Sequence, residues 1–187
     1  MDDKKSFILV AINDAQATIR AIDVKVGALL AGLLLPLSSI GKIWTHVFHI
    51  SVISNQYIAI FVGLTFLIFW LLAVYSLIRT LSAIDNPANH IVNSVNCKGS
   101  FYGGGLYDFG WMDTLLNRSI IKANKDVATF SQSYPNCEDG LVSELTFEHM
   151  KLVYIRELKL FRFKASLRLA FVWLLIGMGI YFYSKLG

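Results

Sequence analysis

Asn55 to Ile78 is a run of 24 residues without a single charge. As a helix rising 1.5 Å per residue it extends about 36 Å, against a hydrocarbon core of about 30 Å. A helix of this length in a soluble protein carries a polar stripe, and this run has none. It predicts a membrane-spanning helix. Two shorter uncharged runs accompany it. Val26 to Gly41 lies between Lys25 and Lys42, with Pro36 near its end and Trp44 just beyond, where an interfacial aromatic belongs. Leu169 to Ser184 lies between Arg168 and Lys185 and contains Trp173, Tyr181 and Tyr183. Spans are therefore expected at 26–44, 55–78 and 169–184. Only 16% of residues are charged, where soluble domains carry about 25%, which excludes disorder and an ordinary soluble enzyme.

The basic residues set an orientation. Four of the 17 Lys and Arg precede the first span (Lys4, Lys5, Arg20, Lys25) and eleven lie between Arg79 and Arg168. Only Lys42 and Lys185 fall on the other side, a split of 15 to 2. The positive-inside rule then predicts a cytoplasmic N-terminus, an outer loop at 42–56, a cytoplasmic segment 79–168 and an outer C-terminus. All 13 Asp and Glu also fall inside, so the net charge of +4 divides into +2 on each side. That is too small for a nucleic-acid footprint, and no nucleic-acid partner is expected. The expected fold class is thus a mainly α membrane protein with three transmembrane helices and a cytoplasmic α+β insert between the second and third.

Residues 1–25 form no signal peptide, because only six apolar residues (Phe7 to Ile12) follow the basic start. Ile8, Ile12, Ala15, Ile19, Ile22 and Val26 alternate at spacings of four and three, predicting one helical face that runs into the first span. In the insert, Asp85 to Asn89 reads as a helix stop and turn. Tyr107, Phe109 and Trp111 alternate with other residues at a strand-like period of two, and Ser100 to Gly105 reads as a turn without the spacing of a phosphate loop. Asn117 is a candidate cap for a helix over Arg118 to Ser131, and Ser133 to Gly140 is a loop. From Glu144 onward Phe147, Met150, Tyr154, Leu158, Phe161 and Ala165 recur at spacings of three and four, and no Gly or Pro interrupts Leu141 to Ile176. One helix of about 40 residues, on the order of 60 Å, is expected to run into the third span. Its basic cluster has two readings: attraction to anionic lipid, which Lys164 and Arg168 favour by position, or an anion site, for which Arg156 and Lys159 are better placed, with Lys25 as a further contact.

Catalytic chemistry has no visible carrier. His46 and His49 are expected in the short outer loop without a carboxylate, His90 and His149 are scattered, and Cys97 and Cys137 are not in a CxxC. No charge falls inside the uncharged runs 26–41, 55–78 and 169–184, so buried proton relays have no support. The chain reads as non-enzymatic, without metal or cofactor. Gly27/Ala31 and Ala28/Gly32 form two small-xxx-small pairs, and Gly177 and Gly179 lie in the third span; such positions allow close helix packing and a homo-oligomer.

Two segments together carry a family resemblance. In Ile19 to Gly32, Asp23, Lys25, Leu29 and Leu30 stand at the positions of the ADxKxxxLL entry to the first span of the Pycsar effector transmembrane family, with Ile22 in place of its Ala. Tyr154 to Arg168 is similar to that family's long helix, whose basic stretch leads into the last span. The resemblance implies a bacterial antiphage effector of the inner membrane. A partner nucleotidyl cyclase makes a soluble cyclic nucleotide on infection, and its binding leads the oligomerising effector to disrupt the bilayer. On this reading the nucleotide is a regulatory ligand, with Arg156, Lys159 and Lys25 as phosphate contacts and Tyr102, Tyr107 or Trp111 as stacking partners for a base. Three rivals stand beside it: a holin-like pore former without ligand control, a related effector restrained by a cyclic oligonucleotide, and an accessory subunit of a larger membrane complex.

Overall fold

The computed structural model describes residues 2–53, 55–82, 86–92, 99, 106–107 and 123–186. Of these, 88% are helical and none is in a strand. Five α-helices are described: α1 (Asp2–Leu34), α2 (Ile40–Ile53), α3 (Gln56–Leu81), α4 (Val127–Ser131) and α5 (Glu138–Leu186). Short 3-10 turns occupy Leu35–Ser39 and Pro87–His90. Three helical stretches are long and apolar enough to cross a membrane: Asp3–Val52 (α1 through α2), Gln56–Leu81 and Glu138–Lys185. The β part of the expected insert is not seen among the described residues. Leu106 and Tyr107 lie in irregular backbone, while Phe109, Trp111 and 100–105 fall outside the described residues.

The chain divides into two compact units, Met1–Ala17 with Asp85–Ile155, and Thr18–Ile84 with Arg156–Gly187. Helices α1 and α5 each contribute to both.

In the second unit α1, α3 and α5 enclose a core of Ile22, Val26, Leu33, Ala73, Leu77, Ala170 and Trp173. Hydrophobicity does not hold helices together inside lipid, so close approach and polar links must. The contacts are of that kind. A Cβ on Gly177 would lie 3.2 Å from the Phe66 ring, and one on Gly63 would lie 3.1 Å from Val47. Ser166 Oγ lies 2.8 Å from Ser76 Oγ, linking α5 to α3, and Arg162 donates to the Arg79 carbonyl at 2.9 Å. The outside of α3 is apolar, with Phe61, Leu64, Ile68 and Leu71 exposed, as a lipid-facing helix requires.

Pro36 explains the break between α1 and α2. In a 3-10 turn the Leu33 carbonyl seeks the N–H of residue 36, and a proline has none. The Trp70 indole supplies the donor instead, at 2.8 Å. After this turn the chain does not enter a loop. Residues 40–53, which the sequence reading placed mostly in an outer loop, are helix, and residues 54 and 55 alone separate α2 from α3. Val47, Ile50, Ala59 and Ile180 form a second small core between α2, α3 and α5. Asn55 caps α3 by accepting from the Tyr57 N–H at 3.0 Å.

In the first unit Ile8, Ile12 and Ala15 are buried, as their spacing on α1 predicts. The long final helix exceeds its expected length, running 49 residues from Glu138. Its start is fixed by Cys137, whose sulfur accepts from the Gly140 N–H at 3.3 Å, and by two acids, Glu138 and Asp139, at the positive end of the helix dipole. Of its predicted apolar row Phe147 is buried, but Met150 and Phe161 are exposed, and Leu145 and Leu152 are buried as well.

The α4 helix starts later than expected. Residues 123–126 are not helical, and Asp126, not Asn117, supplies the cap by accepting from the Thr129 N–H at 2.8 Å; Asn117 lies outside the described residues. The bonds from Thr129 hold the Asp126 carboxyl below the usual carboxylate range. A depressed folded value stabilises the ionised, folded state, so the cap is complete above the unfolded value of about 3.9 and fades as pH falls through the lower folded one. We expect amide-exchange protection of residues 127–131 to fall below about pH 4. Asp126→Asn should keep the cap and remove that dependence, since Asn caps as well as Asp.

Candidate functional site

The expected anion-binding side chains are not alike in the structure. Lys159 is buried and its ammonium is ion-paired to Asp23 of α1, so its charge is already neutralised within the chain. The ammonium is thus engaged within the chain. Asp23 keeps 37% of its side chain exposed, so the pair is dry at the lysine and wet at the carboxylate. Arg156 is partly exposed and donates to Glu157 through both Nε (3.2 Å) and a terminal nitrogen (2.9 Å). Neighbours in sequence do not share a helix face, so this exposed contact is a weak one that an incoming anion can displace. Lys25 is exposed, without an ion-pair partner among the described residues. These three belong to one unit, and Tyr107 to the other. Tyr107 is half-exposed and engaged in an interaction, whereas Tyr102 and Trp111 lie outside the described residues.

In the unit of residues 85–155 the polar centre is one the sequence did not disclose. Glu148 is fully buried beside Lys151, and its second oxygen has no hydrogen-bond partner among the described residues. The Lys151 ammonium also lies 4.8 Å from the centre of the Phe147 ring. Gly99, at φ +64°, approaches all three, and its positive φ is one that a side chain there would strain. His90 stacks on Tyr154 with ring centres 4.5 Å apart. Spacing alone carries no sign of these pairings, because a buried Glu on a long helix looks like any surface Glu. Among the described residues there is no group of three or more His, Cys, Asp or Glu able to hold a metal ion.

The small residues singled out on α1 (Gly27, Ala28, Ala31 and Gly32) are all exposed. A Cβ on Gly27 or Gly32 would meet nothing within 4 Å. Among the described residues, Gly27 and Gly32 thus make no close side-chain contact. Between α2 and α3 there is an apolar groove of about 730 Å³, walled by Trp44, Phe48, Leu64 and Trp70 among others.

Lys42 also changes place. Because α2 is helix and lies along α3, with Val47 against Gly63, Lys42 stands level with about residue 68, near the middle of α3. Lys42 thus lies within a helical stretch long and apolar enough to cross a membrane, Asp3–Val52. A lysine at the centre of a lipid-facing span costs about 2.5–3.5 kcal/mol. His46, also moved from loop to helix, bonds through Nδ1 to Ser184 Oγ at 2.8 Å and meets the Tyr181 ring edge-on.

No protein family, curated protein or solved structure matches this chain.

Proposed function

We propose that this chain is a non-enzymatic membrane effector of bacterial antiphage defence. It senses a cyclic nucleotide from a partner nucleotidyl cyclase and assembles as a homo-oligomer that permeabilises the plasma membrane. The observation that carries the reading is that α1 and α5 each contribute to both compact units. A ligand that prefers one arrangement of these helices in the sensing unit therefore biases the same two helices among the spans, by no more than its differential affinity for the arrangements. The resemblance of Ile19 to Gly32 and Tyr154 to Arg168 to the Pycsar effectors supports the biological setting, and the two segments are joined by the Asp23–Lys159 pair. The charge bias supports the N-in, C-out orientation. With Lys42 inside a helix, Lys185 remains the one basic residue beyond the spans on the outer side.

Arg156, partly exposed, and Lys25, exposed, are the cations for the ligand's phosphate. In detergent, one member of a panel of cyclic mono- and dinucleotides should raise Tm by about 5–10 °C at a hundredfold excess over its Kd. Arg156→Glu should abolish that shift while membrane insertion persists. Depolarisation of cells should require the cyclase. A flat response to every nucleotide, with depolarisation following expression level alone, refutes the reading and favours a holin-like pore former. Toxicity that rises when the ligand is withdrawn reverses the sign of control.

A further inference from the structure

The outward face of α2 carries a row of polar residues in the middle of an otherwise apolar segment. Lys42, Thr45 and His49 recur at spacings of three and four and so share one side of the helix, and Ser38 precedes them in the 3-10 turn. They are exposed, on the side opposite the buried Val47. Ser38 and Thr45 return their hydroxyl protons to the Leu35 and Lys42 carbonyls, at 2.8 and 2.7 Å. The row thus presents two hydroxyl oxygens, an imidazole and an ammonium.

Lys42 stands about 18 Å from either end of α3 along the helix axis. Its four-carbon stem is shorter than the distance of about 15 Å from mid-bilayer to the headgroups, so snorkelling does not bring the ammonium to water. Nor can a carboxylate reach it from a neighbouring span, because residues 24–84 and 158–187 contain no Asp or Glu. That holds for every copy of the chain. A charge at this depth must face another chain or water, and the spans of other copies offer it no counter-charge. Water and a mobile anion remain.

We propose that Ser38, Lys42, Thr45 and His49 line a water-filled, anion-selective pore formed by several copies of the chain, each contributing α2. The proposal rests on the oligomeric effector reading above and adds the identity of the conducting wall. Three spans are too few to enclose a lumen, so the lining repeats by symmetry. A ring of lysines then sets an anion preference, as basic rings do in anion pores.

Two measurements test it. The full chain is reconstituted into planar bilayers across a KCl gradient, with any nucleotide that raises its Tm. The reversal potential should lie towards chloride, and Lys42→Glu should move it towards potassium. Conductance with an unchanged reversal potential in Lys42→Glu overturns the lining while leaving the effector reading intact; silence of the wild-type protein overturns both. Independently of how Lys42→Glu folds, single cysteines are placed in a Cys97→Ser/Cys137→Ser background and treated in membranes with an anionic, impermeant thiol reagent. Positions 42, 45 and 49 should react at least about tenfold faster than positions 44 and 48, since only the ionised thiolate reacts and hydrocarbon suppresses it. Equal rates at the two sets overturn the proposal.

Discussion

Asp23→Asn is expected to destabilise the three-helix unit by about 3 kcal/mol, the low end of the range for breaking a buried ion pair. The value follows from the asymmetry of the pair. Lys159 retains 10% of its side-chain surface, so its desolvation has already occurred in the folded state and Asp23 alone offsets it. Asp23 is over a third exposed and loses much less when its partner goes. Lys159→Met, which removes the dry charge and keeps the apolar stem, is therefore expected to cost about 1 kcal/mol or less, near the value of an exposed pair. The double variant should recover most of the loss, since no buried charge is left without a partner. Guanidinium unfolding in detergent measures all three. Equal losses for Asp23→Asn and Lys159→Met would sink the account, because a symmetric surface bridge has no dry partner. The outcome bears on function too: a lysine held as an internal counter-ion is not available to a phosphate, which leaves Arg156 and Lys25 of the three expected phosphate contacts.

The spans were legible because their signal is an absence: 24 residues without charge can be counted directly. The long helix was legible for a similar reason, since nothing between Leu141 and Ile176 stops it. What escaped was the half of a segment that mixes signals. Residues 42–53 contain Lys42, Thr45, His46 and His49, and a hydropathy window takes any charge as the edge of a span. The window does not ask which face a charge is on. Spacings of three and four from Lys42 through Thr45 to His49 mark a helix with one polar side, the pattern that α2 adopts. Pairings across 136 residues, such as Lys159 with Asp23, leave no trace in local spacing. The same holds for Glu148, whose burial comes from the fold around it.

Four glycines in the spans separate packing within the chain from packing between chains. Gly177→Leu is expected to destabilise the unit by about 1–3 kcal/mol, because the new side chain begins 3.2 Å from the Phe66 ring, which itself packs on Trp173 with ring centres 5.3 Å apart. Gly179→Leu, two residues on, meets nothing within 4 Å and exchanges a poor helix former for a good one. Its unfolding should be unchanged or shifted up by as much as about 1 kcal/mol. Sequence gives the two glycines equal standing, so the contrast rests wholly on where the third span meets α3. Gly27→Leu and Gly32→Leu fall in the second class, and the monomer should unfold as before in both. If the small-residue face of α1 joins copies of the chain, the same two changes block close backbone approach and shift the protein from oligomer to monomer in detergent, read by cross-linking or light scattering. Unaltered assembly would remove α1 from the interface and leave the other helices to form it. Loss of monomer stability in Gly27→Leu would instead show that this face packs within the chain, contrary to the open space around it.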